Sequence, residues 1–285
     1  MTKEDIMQIS NAQRASILVS ALPYIQNYYG KIIVIKYGGS AMINEQLKDS
    51  VMRDIVLLSL IGVKVVLVHG GGPEITEMLK QVGKESKFID GLRVTDKETV
   101  EIVQMVLCGK INKNLVNLIQ NKDGKAIGLS GVDGHMIKAR MKDERLGYVG
   151  EITQINTKPI LDVLEKGYIP VISTIGCDDE GNVYNINADT AAAELAAGLN
   201  AESLFLMTDI SGILRDKDDP SSLISKITYK QAFALKEEGI ISGGMIPKVE
   251  CCISALEGGV KKAFIVDGRI PHALLIETLT DDGIG

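Results

Sequence analysis

Residues 32–40, Ile-Ile-Val-Ile-Lys-Tyr-Gly-Gly-Ser, constrain this chain more than any other stretch. Ile32, Ile33, Val34 and Ile35 are a run of β-branched side chains, the pattern of a strand buried on both faces. Lys36 closes the run, and Gly38 and Gly39 follow. An ammonium at the end of a buried strand is costly unless an anion meets it. Paired glycines let backbone N–H groups turn toward such an anion with no Cβ in the way. Beyond them, Leu47, Val51, Ile55, Leu58 and Leu60 recur at helical spacing. A strand, a glycine turn, a helix N-terminus and a lysine together predict a phosphate cradle. From this stretch alone the alternative stays open, a lysine snorkelling beside an ordinary strand-to-helix turn.

The rest of the chain bounds the choice. Its 285 residues are 45% hydrophobic and 24% charged, which fits a folded globular protein with one large domain or two lobes. A net charge of −6 argues against general nucleic-acid binding and leaves room for a local basic pocket. No apolar run reaches the roughly 18 residues of a membrane span, and Glu4 and Asp5 spoil a secretory n-region. Cys108, Cys177, Cys251 and Cys252 show no CxxC spacing and make no zinc pattern with the three histidines. Free thiols in a cytoplasmic protein are expected.

Periodicity predicts an amphipathic helix over residues 2–29, capped by Thr2, kinked at Pro23 and ended by Gly30. It precedes the first core strand, so its apolar stripe packs either on its own domain or on a neighbouring subunit. Strand and helix patterns then alternate. Residues 63–69 read as a buried strand before Gly70-Gly71-Gly72-Pro73, and residues 88–94 as a short strand or hairpin carrying Arg93. Thr95-x-x-Glu98 has the form of a capping box opening a helix to about Gln120. An alanine-rich helix is expected from Asn187 to Leu199, another helix over residues 245–256, and a last strand over residues 274–277. The alternation predicts an α/β fold with a mainly parallel sheet and helices on both faces. A lobe boundary is placed near residue 200.

Standard nucleotide loops are absent: neither GxxxxGK[ST] nor a GxGxxG after a strand occurs. Three other glycine clusters stand at strand-to-helix or loop-to-helix junctions, namely Gly38-Gly39, Gly70-Gly71-Gly72 and Gly243-Gly244. His69-Gly70-Gly71-Gly72 has the form of an esterase oxyanion loop, but no GxSxG elbow accompanies it, so His69 reads as a satisfied strand-end histidine. Lys248 follows Gly243-Gly244-Met245-Ile246-Pro247. That position is the positive end of a helix, the wrong end for a cation unless an anion binds there. Asn185 and Asn187 stand two apart, either as ligand-facing groups or as helix caps. Asp189 would hold two lysines in position, and Arg93 suits a substrate carboxylate through paired hydrogen bonds, with a surface arginine as its alternative.

In this combination and order, Lys36-Tyr-Gly-Gly-Ser, His69-Gly-Gly-Gly-Pro, Gly91-Leu-Arg-Val-Thr, Tyr184-Asn-Ile-Asn-Ala-Asp-Thr-Ala-Ala and Gly243-Gly-Met-Ile-Pro-Lys-Val resemble the amino acid kinase family. Within it, they are most similar to the arginine-sensitive acetylglutamate kinases. The resemblance implies a three-layer sandwich of two lobes, with residues 30–199 binding acetylglutamate and forming a dimer, and residues 200–285 binding ATP. It implies phosphoryl transfer from ATP, with Mg²⁺ held mainly by phosphates and no protein metal site, to the side-chain carboxylate of N-acetyl-L-glutamate in arginine biosynthesis. Lys36 and Lys248 would stabilise the moving phosphoryl group and Asp189 would organise them. Gly38, Gly39, Gly243 and Gly244 would offer backbone N–H groups to phosphate, while Gly71, Gly72, Arg93 and Asn185 would bind the acceptor. Residues 1–29 would join dimers into a hexamer, a trimer of dimers. L-Arginine would inhibit from a site that includes His272, Glu277 and Gly283. A nitrogen-signalling PII protein is a family partner in some lineages, left undecided here. Two alternatives remain: a sibling kinase acting on another carboxylate or on carbamate, and a non-catalytic amino-acid sensor on the same fold. No nucleic-acid or membrane partner is expected. A carboxylate acceptor is already ionised at pH 7, so no general base is needed, and the chemistry calls for charge neutralisation and in-line placement.

Overall fold

The computed structural model describes residues 10–42, 44–216, 218–281 and 283–285. A six-stranded parallel sheet spans the molecule in the order β12-β11-β1-β2-β8-β5. Its strands are β1 (Ile32–Tyr37), β2 (Lys64–His69), β5 (Ala126–Ser130), β8 (Ile169–Ser173), β11 (Ser203–Thr208) and β12 (Lys262–Asp267). A smaller sheet joins β6 (Ile137–Met141), β7 (Gly150–Ile155), β9 (Ile175–Cys177) and β10 (Val183–Asn185), and β3 (Phe88–Ile89) with β4 (Leu92–Arg93) forms a hairpin.

Helices cover both faces of the large sheet. One core holds Ile33, Ile35 and Tyr37 of β1 under α3 (Glu45–Leu60), α4 (Gly72–Gln81), α5 (Lys97–Gln104) and α6 (Asn112–Gln120). The other holds Val34, Val66 and Val68 under α7 (Lys158–Glu165) and α8 (Ala188–Gly198). Alternation along β1 puts Lys36 on the Val34 side, facing α8. The chain closes with α9 (Tyr229–Glu237), α10 (Met245–Glu257) and α11 (Ala273–Leu279). Among the described residues no helix is long and apolar enough to cross a membrane, and all four cysteines are free.

Several elements differ from the sequence expectations, each for a local reason. Residues 2–9, with the expected Thr2 cap, lie outside the described residues. Ser10 is extended at ψ 155° and exchanges hydrogen bonds with Gln13, so α1 (Asn11–Ser20) starts there. The kink expected at Pro23 is present as a slight bend at Ala21, which keeps helical angles, and α2 (Leu22–Tyr28) follows with Pro23 in its first turn, where a missing N–H costs nothing. The box at Thr95 is not formed: Asp96 caps α5 by accepting from the Thr99 N–H at 2.7 Å, while Thr95 donates to the Arg93 carbonyl.

The long helix to Gln120 is interrupted by a π-helical segment, Met105–Ile111. Thr99, Val103, Leu107, Ile111, Leu115 and Ile119 are all buried and stand four apart. Each such step overshoots an α-turn by roughly 40°, and the wider π turn takes up that drift. Residues 274–277, expected as a strand, belong to helix α11, whose Ala273, Leu274 and Thr278 are buried on one side. A short apolar run carries no periodicity that separates the two. Helix α9 was not foreseen, although Thr228 and Gln231 form a complete capping box at its start.

Candidate active site

The site lies at the C-terminal edge of the parallel sheet, where β1 and β2 end side by side in the pairing of Tyr37 with His69. Lys36 leaves the end of β1 toward α8. The buried residues of α8 are Ala191, Ala192, Ala193, Leu195 and Ala196, four of the five small enough for the helix to lie close on the sheet. A Cβ on Gly70 would already come within 3.2 Å of the Ala188 methyl. Helix α10 packs beside α8, with Gly258 against Ala197, and its first turn carries Lys248.

These three elements converge on one carboxylate. Lys248 donates to Asp189 Oδ2 at 2.9 Å. Lys36 ion-pairs with Oδ1 at 2.9 Å, off the line of a good hydrogen bond. Burial opposes ionisation of Asp189, but the two ammonium groups outweigh it and hold the carboxyl below its ordinary value. Two cations on one anion carry more positive charge than Asp189 alone balances. Around it Gly38 lies so near Lys36 that a Cβ would stand 2.9 Å from Nζ. Gly39 has φ +70° and no room for a side chain against the Asp209 carboxylate. Gly243, at φ +56°, and Gly244 precede α10 with open space around both. A 3-10 turn, Gly39–Met42, separates the first glycine pair from α3, which Asn44 caps, so that pair is not itself the helix start.

A cleft of about 180 Å³ opens beside this centre, lined by Gly70, Gly71, Gly72, Arg93, Thr174 and Asn185 among others. Arg93 is 7% exposed. Its Nη2 donates to the Gly72 carbonyl at 2.9 Å and to Thr76 at 2.7 Å, and Nη1 donates to Ser86. Three of the five guanidinium N–H groups are thus committed, and the ring of Phe88 lies 4.8 Å below its Cζ. The hairpin that carries Arg93 turns through Asp90 and Gly91, both at positive φ, the geometry a two-residue turn requires. Asn185 lines the cleft and donates to Thr95 at 3.4 Å. Asn187 is the cap of α8, accepting from the Asp189 and Thr190 N–H groups.

The C-terminal trio is placed elsewhere. His272 Nδ1 pairs with the buried Asp54 of α3 at 2.6 Å. Glu277 accepts from the backbone N–H groups of Ile284 and Gly285 at 2.8 and 3.0 Å, and Gly283 lies against its carboxylate. His69 is fully buried, and burial pushes its pKa down to about 4, which leaves it neutral. Asp209, beside Gly39, went unnoticed in the sequence. Its signal was an acid one residue past the end of the buried strand β11 (Ser203–Thr208), beside the strand that ends in Lys36-Tyr37. Leu107 of the π segment, which also lines the cleft, carried no signal, since only the π turn aims it there.

Among the described residues no group of three or more His, Cys, Asp or Glu is arranged to hold a metal. The sequence model of the amino acid kinase family matches residues 31–267. The chain is 57% identical over 279 residues to the acetylglutamate kinase of Brachyspira hyodysenteriae, covering 97% of each chain. It is 55% identical over 290 residues to that of Moorella thermoacetica, covering 98% of each. Among solved structures, an N-acetylglutamate synthase from Neisseria gonorrhoeae, complexed with coenzyme A and N-acetyl-glutamate, superposes with a TM-score of 0.83 at 25% identity; the match covers 95% of this chain and 62% of that one. Carbamate kinase from Giardia lamblia, at 18% identity over 84% of this chain and 93% of its own, shares the fold with a TM-score of 0.59. Such identity over nearly the whole of both chains leaves one assignment: the chain belongs to the amino acid kinase family and, within it, groups with the acetylglutamate kinases.

Proposed function

We propose that the chain phosphorylates the side-chain carboxylate of N-acetyl-L-glutamate at the expense of ATP. The observation that carries this reading is the shared carboxylate. Lys36 and Lys248, from opposite ends of the sequence, both meet Asp189 beside a cleft that holds Arg93 and Asn185. Arg93 has N–H groups left for the acceptor's carboxylate, and Asn185 supplies an amide for its polar groups. The free N–H groups of the glycine loop and the two ammonium groups face the oxygens on which charge accumulates as the phosphoryl group moves. Asp189 keeps the two cations together, and its bonds to both leave it unsuited to act as a base. With no carboxylate cluster to cage it, Mg²⁺ would arrive on the phosphates of ATP and supply further charge neutralisation there.

The segment beyond residue 200, with Asp209 and the Gly243-Gly244 turn, is the part we assign to the nucleotide. The helices before residue 29 we assign to assembly into a hexamer. In α1, Ile17, Leu18 and Val19 are 58, 74 and 67% exposed, apolar side chains without cover in a single chain. Arginine control through the neighbouring His272, Glu277 and Gly283 belongs to the same reading. An ADP-release assay with N-acetylglutamate, glutamate, aspartate and carbamate tests the substrate. Turnover with N-acetylglutamate far above the others is expected, and turnover confined to carbamate or aspartate, or none at all, would overturn the proposal.

A further inference from the structure

We infer that His69 is a positioning residue: in its Nδ1–H tautomer, with a bare Nε2 set against the Asn112 amide, it ties back the Gly70 carbonyl so that the N–H groups of Gly71 and Gly72 point into the acceptor cleft. The inference deepens the proposed function and rests on that use of the cleft.

Every carbonyl of the loop is committed. The His69 carbonyl accepts from Thr174 at 3.5 Å, Gly70 from His69 Nδ1 at 3.0 Å, Gly71 from the Ile75 N–H at 2.9 Å and Gly72 from Arg93 at 2.9 Å. Among the described residues, the N–H groups of Gly71 and Gly72 have no partner, and both residues line the cleft. The loop has its acceptors turned inward and two donors turned out, the polarity an anionic acceptor needs. Among the described residues nothing but His69 meets the Gly70 carbonyl, so that peptide is the one free to flip if His69 fails.

The Gly70 contact fixes the tautomer, and Asn112 accommodates it from the other side of the ring. The Gly70 carbonyl can only accept, so Nδ1 carries the proton. Asn112 lies 1% exposed, and its Nδ2 meets the carbonyls of Val171 at 2.8 Å and Leu129 at 3.2 Å. Those partners can only accept, so the amide nitrogen faces them and, at 3.2 Å, faces His69 Nε2 as well. With Nδ1 protonated and the ring neutral, Nε2 is bare, and it shares with the Leu129 carbonyl one of the two amide hydrogens. The carboxamide fits because Gly128 has no side chain: a Cβ there would collide with Asn112 Oδ1. Asn112 begins α6 directly after the π segment, whose Leu107 and Ile111 press on Gly71 from behind. The π turn and the glycine loop thus meet at one buried amide and one neutral ring, neither of which can touch the substrate.

Two substitutions separate the ring nitrogens. Asn carries an amide nitrogen near the place of Nδ1, whereas Gln can set its amide oxygen, an acceptor like the bare Nε2, near the place of Nε2. His69→Asn keeps the donor to Gly70; His69→Gln keeps only the contact with Asn112. At matched melting temperature, His69→Gln should lower kcat about 10- to 100-fold with the KM for ATP unchanged, and His69→Asn should retain most of kcat. Equal losses in both variants, the reverse order, or full activity in His69→Gln would overturn the inference. If either variant fails to fold, ¹⁵N NMR of the three histidine rings in the wild-type chain decides at pH 7. A protonated Nδ1 with a bare Nε2 is expected for His69, and the opposite tautomer or an imidazolium refutes it. The ring spectrum needs no substrate, so its outcome is separate from a failure of the wild-type chain to turn over N-acetylglutamate.

Discussion

Replacing Asp189 by Asn removes one charge from the centre of the site and almost nothing else. The two side chains have the same shape, and the cap of α8 is Asn187, not Asp189. In the wild-type chain each ammonium lies 2.9 Å from a carboxylate oxygen. At an effective dielectric constant of about 20, one unit pair at that distance is worth about 6 kcal/mol before solvation is counted. Asp189 is 15% exposed, so desolvation takes much of that back, and breaking a buried pair costs about 3–5 kcal/mol. The amide oxygen of Asn still accepts from one lysine, which puts the loss at the low end, about 3 kcal/mol. If that energy serves to hold both cations where charge develops, kcat should fall roughly 100-fold. The assay is ADP release at saturating ATP and acceptor, with a melting curve on the same preparation. A cycle with Lys248→Ala sharpens it: since Asp189 acts through the lysines, the double variant should be little worse than the poorer single one. Wild-type kcat in Asp189→Asn at an unchanged melting temperature, or losses that simply add, would refute the reasoning.

Arg93→Lys should raise the KM for the acceptor far more than that for ATP, because lysine keeps the charge but cannot reach Gly72, Thr76, Ser86 and a ligand together; an effect confined to ATP would contradict it. Burial raises Asp54 to about 6, so between its unfolded value near 3.8 and that pH the folded chain binds the proton more tightly and stability falls as pH rises. Asp54→Asn should flatten that stretch of the melting-temperature profile, whose slope amounts to at most about 3 kcal/mol, and an unchanged slope would count against the assignment. Deleting residues 1–26 should give active, smaller assemblies with weakened arginine inhibition, by light scattering and by activity against arginine concentration; a truncated chain that stays the same size and equally arginine-sensitive would return the helices to packing on their own domain.

The large sheet was legible because its central strands are continuous apolar runs, β-branched in β1 and β2 and Leu-Phe-Leu-Met in β11, that no solvent-facing element could carry. The lysine pair was legible for the opposite reason, a charge where burial or a helix dipole disfavours it. What stayed hidden was set by contacts distant in sequence. The cap at Asp96 rather than Thr95 depends on Thr95 turning back to Arg93, and a one-residue choice between two good caps is not written in the local sequence. The π turn resolves a four-residue spacing that is visible only once the core it faces is known. Residues 274–277 became a helix because α3 offers Ser50 and Asp54 to His272 at its start. Asn187 followed the cap reading and Asn185 the cleft reading, although the two look alike in sequence. Helix α9 is a short amphipathic piece on the surface, where the periodic signal is weakest.

Strand β1 is hydrogen-bonded to β2 on one side and to β11 on the other. A cut near residue 200 would therefore strip β1 and β11 of each other and leave two raw edges, each a template for the wrong partner. The two halves are not cassettes that recombination could exchange independently, because the junction between them is a row of backbone bonds rather than a linker. Any change of width at the cleft has to be absorbed as added twist in a continuous sheet. The restoring force then comes from the core packed on both faces, and a substitution far from the cleft, under β5 or β12, acts on the same spring as one beside Lys36.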